Sequence, residues 1–412
     1  MRAEMAISRR HLLWLALAGG GVAISGGIRT LFAQAPFAPR PIAPPPGYLD
    51  TAAQAMAEPF KGITTDGTVV PGLFSLQHTG ILTTPIMDAA ATFLAALSLE
   101  QQAKILFPVD SDEWRNWSNI HRYPRQGISL AEMHSPQREK AFALLKAGLS
   151  PKGLATAQDI MRLNETVAEL TGRRGEYGEH LYWFTIMGSP SASEPWGWQL
   201  DGHHLVINCF VRGDQLVMTP TFMGSEPVRA DAGKYAGTRV FQVEEAQGLA
   251  LIGALTAAQQ EKAIVSKDLP REIFTAAFRD NMEMPYAGIH YDALSSPQQA
   301  LLLELVTTYV GNIRPGHAEV KLAEVEHHLR DTYFAWMGGV DEDSVFYYRV
   351  QSPVILIEFD HQRGIALGNE KPSRNHIHTV ERTPNGNDYG KDLLRQHHQQ
   401  FDHTRPGERH HH

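Results

Sequence analysis

The order of helix-like and strand-like segments constrains the fold of this chain more than any other sequence feature. Apolar residues recur at helical spacing in three segments of the first half, over residues 86–106, 135–149 and 156–170. Strand-like segments follow over residues 180–222 and return over residues 343–380. Because these elements come in runs rather than as alternating strand–helix–strand units, the sequence predicts an α+β fold. In that fold, a helical N-terminal half packs on a largely antiparallel sheet formed by the two strand-rich segments.

Two kinds of local signal mark where elements begin and end. Residues 212–214 (Arg-Gly-Asp) separate two strand-like runs and predict a hairpin turn. Ser98, Thr256 and Ser295 each stand three positions before a glutamine, which is the spacing of a capping box at a helix N-terminus. An internal duplication would also produce this recurrence, but capping chemistry alone accounts for it, and we prefer that simpler interpretation.

The N-terminus predicts export. Arg9 and Arg10 stand immediately before an apolar stretch over residues 12–28, which is the pattern of a twin-arginine signal. Five glycines lower the hydrophobicity of this stretch, so a signal peptide is favoured over an N-terminal membrane anchor. We therefore expect the twin-arginine export machinery as a partner, a periplasmic or secreted location, and no transmembrane domain in the mature protein.

Composition predicts how the rest of the chain is organised into segments. Six prolines between residues 36 and 46 disfavour a helix and predict an extended linker. The predicted organisation is a twin-arginine signal peptide (1–35), a proline-rich linker (36–48), a single α+β domain (49–403) and a polar, histidine-rich tail (404–412).

Charge and cysteine content argue against several function classes. The net charge of -8, with no run of Lys and Arg, argues against a nucleic-acid surface. Cys209 is the single cysteine, so thiolate zinc clusters, iron–sulfur clusters and an internal disulfide are excluded. Any metal site in this chain must therefore use histidine and carboxylate ligands.

Paired histidines are the clearest candidates for chemistry among the 20 histidines of the chain. His376 and His378 lie two residues apart on a predicted strand, so both side chains project to one face and can bind the same cation. His203 and His204 are adjacent on a presumed strand and face opposite ways. One of these two can join the pair, and the pattern does not decide which.

Two carboxylates complete this metal-site hypothesis. Glu358 and Asp360 end an otherwise apolar predicted strand, where burial is costly unless they are paired, protonated or bound to a cation. We predict one of them as a ligand, an orienting residue or a general base. The alternative is that the histidines are ordinary hydrogen-bonded residues of a sheet or a surface, and spacing alone leaves both interpretations open.

Other catalytic signatures are missing from the sequence. It has no nucleophile elbow, no glycine-rich phosphate loop, no dinucleotide fingerprint and no His-Glu-x-x-His motif, which argues against hydride transfer and nucleotide hydrolysis. Trp196 and Trp198 are candidate substrate-binding residues for an apolar or carbohydrate ligand, with core packing as the alternative.

Eight short motifs stand out in combination. They are EWRNW at 113–117, YWFT at 182–185, PWGWQ at 195–199, GHHL at 202–205, YYRVQ at 347–351, EFD at 358–360, NHIH at 375–378 and DYG at 388–390. Together they resemble the domain of unknown function family 3500, which occurs in bacteria and fungi. The resemblance runs from about residue 60 to residue 397 and implies no agreed reaction. It makes the paired histidines better ligand candidates than the others, because they coincide with family motifs. The family pattern has glutamate where this chain has Asp201, which weakens that residue as a ligand.

These observations predict an exported metal-dependent enzyme. Hydrolysis is narrowly favoured, because a histidine site with an open coordination position lowers the pKa of bound water. The predicted ion is Zn, Mn, Fe or Cu, and the substrate is an unidentified small or extracellular molecule. A metal-dependent oxidoreductase using Fe, Mn or Cu and a non-catalytic extracellular ligand-binding protein are the alternatives.

Overall fold

One large sheet organises the protein, whose computed structural model describes residues 43–401. The predicted signal peptide and the histidine-rich tail lie outside the described residues, as does most of the proline-rich linker. Within the described part, no helix is long and apolar enough to cross a membrane.

The helices begin at caps that the sequence encodes. In the three predicted capping boxes, the glutamine side chain accepts a hydrogen bond of 2.8–2.9 Å from the backbone N–H of Ser98, Thr256 or Ser295. The helical segment predicted over residues 86–106 is therefore split at Ser98 into two helices. The helices are α1 (Tyr48–Ala57), α2 (Thr84–Ala96), α3 (Leu99–Ile105), α4 (Ser135–Gly148), α5 (Pro151–Thr171), α6 (Gln242–Ala254), α7 (Ala257–Ala263), α8 (Ser296–Val310), α9 (His317–His327) and α10 (Lys391–Gln400).

The strands confirm the predicted α+β class. They are β1 (Leu106–Phe107), β2 (Ile128–Ser129), β3 (Tyr182–Met187), β4 (Trp196–Gly202), β5 (Leu205–Arg212), β6 (Gln215–Val217), β7 (Thr221–Ser225), β8 (Ile264–Ser266), β9 (Ile289–His290), β10 (Tyr333–Gly338), β11 (Phe346–Gln351), β12 (Leu356–Arg363) and β13 (Pro372–Arg382). Their order is β1-β3-β4-β5-β7-β13-β12-β11-β10-β8, with β2, β6 and β9 paired to β3, β5 and β10. The pairing is antiparallel except at the two edges, where β1 and β8 run parallel to their neighbours. The predicted hairpin joins β5 to β6.

The two halves of the sheet repeat one another. Apart from α1 and α10, each half contains two helices, two short strands, two further helices and then the strands of a meander, in that order. The interlocking glutamines repeat as well, since Gln137 donates to Gln101 at 2.7 Å in one half and Gln298 donates to Gln259 at 2.9 Å in the other. The recurrence of capping boxes is thus part of an internal structural repeat, and capping chemistry alone does not explain it. The repeats meet where β7 pairs with β13.

Side chains alternate between two chemically different faces along β11, β12 and β13. The first face, called the polar face below, carries Tyr347, Arg349, Glu358, Asp360, His376, His378 and Arg382. The opposite, apolar face carries Phe346, Tyr348, Val350, Ile357, Phe359 and Ile377. Helices α6 and α8 cover the apolar face at Tyr348, while the segment over residues 267–287 covers the polar face at Glu358. Both faces are buried.

Candidate metal centre

Strand β13 brings His376 and His378 to the polar face at the centre of the sheet. Their Nε2 atoms lie 3.0 Å apart, and the two residues are 1% and 4% exposed. This confirms that the two imidazoles share a face, as their spacing predicts. Gly224 lies opposite His378 on β7. A Cβ at that glycine would approach the imidazole ring to 3.0 Å and the Ile377 carbonyl to 2.7 Å, so the ring occupies space that only glycine leaves open.

His204 is the third member of the cluster. It lies in the two-residue loop between β4 and β5, and its Nε2 is 3.1 Å from that of His376. Its backbone is left-handed (φ 61°), a conformation that is uncommon for residues other than glycine. Hydrogen bonds from its N–H to the Asn119 carbonyl (3.1 Å) and from Gly224 to its carbonyl (2.8 Å) hold the loop in place.

His203 lies outside the cluster. Its Nδ1 is 2.8 Å from the Asn164 side chain, and its ring stacks on that of His204 at 3.9 Å. The expectation that the two histidines stand on a strand is wrong, because both belong to the loop. The expectation that one of them joins the pair agrees with the structure, and that one is His204.

The three Nε2 atoms are spaced as ligands of a single ion. His204, His376 and His378 form a buried group whose ligand atoms lie within 4.8 Å of one another. Nitrogens about 2.0–2.1 Å from a tetrahedral zinc ion lie roughly 3.3 Å from each other. The observed separations of 3.0 and 3.1 Å are close to this value, so the buried triad could hold a metal ion.

Hydrogen bonds to the other ring nitrogens orient two of the imidazoles. His378 Nδ1–H donates to Glu272 Oε1 at 2.6 Å, and His376 Nδ1–H donates to the Arg363 carbonyl at 2.6 Å. Each bond places the proton on Nδ1 and leaves the Nε2 lone pair free for an ion. Glu226 accepts three backbone N–H groups over residues 365–367 and so fixes the loop after Arg363.

The electrostatics of the cluster suit a cation. Burial lowers the pKa of His204 and of His376 well below the ordinary value, which keeps these rings neutral as ligation requires. Burial raises the pKa of Glu272, but its interactions with His378, the Ile273 N–H and the Asn119 amide together lower the pKa below its ordinary value. Glu272 therefore places a negative charge directly behind a candidate ligand.

The two predicted carboxylates occupy different environments. Glu358 accepts hydrogen bonds from the backbone N–H groups of Phe274 (2.7 Å) and Thr275 (2.8 Å), from the Thr275 hydroxyl and from Tyr347. Asp360 lies directly across from His378 in the strand pairing, and its Oδ1 is buried without a hydrogen-bond partner. Neither carboxylate belongs to the three-histidine group. Glu358 thus anchors the segment that carries Glu272, while Asp360 keeps one oxygen free.

Trp196 and Trp198, the predicted substrate-binding residues, are both fully buried in the main hydrophobic cluster. The Trp196 indole N–H donates to the Ser191 carbonyl at 3.0 Å, and Trp198 packs beside Gly148. The structure therefore does not place either ring on an accessible surface where a substrate could contact it. Asp201 is also occupied, in an ion pair of 3.1 Å with Arg125.

Sequence reasoning missed the residues that support the cluster from outside the strands. Glu272 lies in an irregular segment 106 positions before its partner His378. Asn119 holds the His204 backbone and also donates to Glu272 at 3.4 Å. Neither residue lies in a segment with helical or strand periodicity. The sequence signal that could have indicated a role for Asn119 is its position two residues beyond the EWRNW motif.

Comparison with known proteins confirms the resemblance that the motifs indicate. The family described as "Protein of unknown function (DUF3500)" matches residues 79–391, which is more than half of the chain. No curated protein and no solved structure matches. The matched region includes the loop of His204 and the strand of His376 and His378.

Proposed function

The chain belongs to this DUF3500 family, whose description carries no activity, and we propose from the site itself that it is a metal-dependent enzyme with hydrolytic chemistry. The observation that carries the proposal is the convergence of three buried imidazole Nε2 atoms. Three histidines leave one position of a tetrahedral ion open for water, as in catalytic zinc sites, and structural sites close that position with a fourth protein ligand. Zinc in such a site lowers the pKa of bound water to about 7.

The ligand set favours zinc over a redox ion. Non-haem iron oxygenases bind their ion with two histidines and one carboxylate. Here the group contains three histidines, and Glu272 is hydrogen-bonded to Nδ1 of one of them. A carboxylate behind a histidine ligand is a common arrangement at zinc sites, where it raises the basicity of the ligand and fixes its orientation.

Asp360 is the proposed acid–base residue. It faces the site across the strand pair from His378 and has a free buried oxygen. Burial, with Glu272 and Glu358 nearby, raises its pKa well above the ordinary value, which favours the protonated form that a general acid needs. Glu358, which accepts four hydrogen bonds, holds the segment in place and takes no part in proton transfer.

Export through the twin-arginine route is part of the proposal. It rests on the N-terminal sequence, in which Arg9 and Arg10 precede the glycine-containing apolar stretch. This route carries folded proteins and would let the ion bind before export to the periplasm or the medium. Replacing both residues (Arg9→Lys/Arg10→Lys) should retain the protein in the cytoplasm, as fractionation would show. Unchanged export would remove this part of the proposal.

Cobalt substitution tests the site without knowledge of the substrate. A cobalt(II) ion with three nitrogens and one water in tetrahedral geometry should give strong visible absorption that changes with pH near 7 as the water ionises. His376→Ala should lose this spectrum. His317→Phe is the matched control, because His317 is a buried histidine outside the cluster. A spectrum that is independent of pH, or one kept by His376→Ala, would contradict the proposal.

Catalysis itself is tested with the zinc-loaded protein on a panel of chromogenic carboxylic and phosphoric esters. Turnover of one ester class should disappear in His376→Ala. Asp360→Asn should keep the zinc and lose turnover, because it removes the proton donor alone. Equal turnover in Asp360→Asn and wild type would exclude Asp360 from the reaction.

A further inference from the structure

A cavity of about 450 Å³ lies apart from the histidine cluster. Its wall combines residues 73–79, the connection between β6 and β7, helix α9 and the end of β13. Glu381 of β13 reaches it from the sheet face opposite to that of His376 and His378, because its position along the strand differs from theirs by an odd number. The volume falls within the range of small-molecule sites.

Glu381 lines this cavity and carries an unsatisfied carboxylate oxygen. The residue is 5% exposed, and its Oε1 is buried without a hydrogen-bond partner among the residues that the structure describes. Lys321, the cation on the same wall, is already occupied, since its ammonium donates to Glu324 at 2.6 Å and to the Val354 carbonyl at 2.8 Å. A buried carboxylate oxygen without a donor is costly, so a ligand that donates a hydrogen bond to this carboxylate would be stabilised here.

His317 presents a second unsatisfied atom. It is 4% exposed, and its Nε2 is buried without a partner. Burial and the nearby Arg314 lower its pKa, so the ring is neutral, and a hydrogen bond to the Leu82 backbone occupies its other nitrogen. In that tautomer Nε2 is an acceptor. Within residues 43–401, both of these lining side chains therefore have an acceptor that no donor satisfies.

The rest of the wall limits the ligand further. Thr219 and Thr383 hydrogen-bond to each other at 2.8 Å, and Gln215 bonds to the Ser75 carbonyl and the Gln77 N–H. The remaining surface is largely apolar and includes Phe74, Leu216, Val217, Met218 and Leu393. The charged groups on the wall are one lysine and two glutamates, with the lysine paired to one of the glutamates.

We propose that this cavity binds a small organic amine, with the ammonium group on Glu381, a further donor on His317 and an apolar body between them. Two properties favour a cation over an anion. The free atoms are hydrogen-bond acceptors only, and Glu381 leaves a net negative charge on the wall because Lys321 is paired with Glu324. This site is independent of the metal centre, because the two lie on opposite faces of the sheet.

Calorimetric titration of the purified full chain at pH 8 tests the proposal. The probes are phenethylamine, tyramine, 2-phenylethanol and 3-phenylpropanoate. The two amines should bind at least about tenfold more tightly than the alcohol, because a charge-assisted hydrogen bond is about twice as strong as a neutral one. The carboxylate should not bind. Equal binding of amine and carboxylate, or no binding of either amine at millimolar concentration, would overturn the proposal.

Matched variants locate the binding. Glu381→Gln keeps the shape of the side chain and removes the charge, so amine affinity should fall about tenfold or more. Glu139→Gln is the control, since that carboxylate is exposed on α4 and does not line the cavity, and it should bind the amines as wild type does. Tyramine, whose phenol can donate to His317, should bind more tightly than phenethylamine to wild type, and His317→Phe should reduce this difference. Unchanged amine affinity in both Glu381→Gln and His317→Phe would rule out the site.

Discussion

The two faces of the central sheet are both buried, but they are stabilised in opposite ways. On the apolar face, Phe346, Tyr348 and Phe359 stack ring on ring, with centroids 4.9–5.4 Å apart for the two pairs that involve Phe359. On the polar face, Arg382 donates to Asp280 (2.8 Å), to Asp388 (3.1 Å) and to backbone carbonyls. The apolar face needs only complementary shape, whereas the polar face needs each charge to keep its partner.

This difference explains where the histidine cluster lies. Ligands and their supporting carboxylates can be buried only where neighbouring groups supply hydrogen bonds, and the segment over residues 267–287 does so on the polar face. The same segment contributes Glu272 to His378, the Thr275 hydroxyl to Glu358 and Asp280 to Arg382. The apolar face could not hold a three-histidine site without such partners.

Removal of Arg382 should give the largest effect on stability. Arg382→Met leaves Asp280 and Asp388 buried without this partner, so we expect the free energy of unfolding to fall by about 3–5 kcal/mol. Ile357→Val on the apolar face should cost only about 0.5–1.5 kcal/mol. Urea denaturation measures both. Asp280 also pairs with the buried Arg115 at 3.0 Å and must stay charged. Adding Asp388→Asn to Arg382→Met should therefore recover part of the loss, and a further large loss would contradict the charge-pairing account.

Glu381 is a buried acidic residue on the apolar face, and its pKa leads to a pH prediction. Burial raises its pKa to about 7, above the value of the unfolded chain. The folded state therefore holds this proton more tightly, and the stability present below about pH 4.5 is lost as pH rises through about 7. Between pH 4.5 and 8, wild type should lose about 3 kcal/mol relative to Glu381→Gln. Parallel stability curves for the two proteins would show that the carboxyl group is not buried alone.

Glu272 tests how far the polar face supports the metal centre. Glu272→Gln removes the charge behind His378, so zinc affinity should fall about 10- to 100-fold while the fold is kept. Competition with a fluorescent chelator measures the affinity. Glu139→Gln, on the exposed side of α4, should leave it unchanged. If the two variants bind zinc equally, Glu272 does not act on the site.

Substitutions at His204, whose backbone is left-handed, should give the smallest difference in stability. Glycine adopts this conformation freely and alanine does not, so His204→Gly should be more stable than His204→Ala by about 1 kcal/mol. Both variants should lose the metal. Thermal unfolding compares them, and equal stability would mean that the loop relaxes once the histidine is gone.

Local patterns predicted a large part of the fold. The capping boxes at Ser98, Thr256 and Ser295, the hairpin at residues 212–214 and the shared face of His376 and His378 all follow from spacing within a few residues. The internal repeat was visible in the sequence only as recurring caps, and its extent is defined by the matching strand order of the two halves.

Long-range features could not be predicted in this way. The choice between His203 and His204 depends on the loop between β4 and β5, whose left-handed residue is not glycine and so gives no turn signal. The sequence pattern around Trp196 and Trp198 fits both core packing and a substrate-binding surface. The packing of α4 against β4 is needed to decide between them. Glu272 reaches the site from an irregular segment, and no periodicity marks such a position.

Metal content is the most direct test of the central claim. Protein exported with its own N-terminus and purified without an affinity-metal step should contain close to one equivalent of a transition metal, and zinc is the expected ion. The His376→Ala/His378→Ala variant, prepared in the same way, should contain almost none. Equal metal content in the two proteins, or none in either, would contradict a metal centre at His204, His376 and His378.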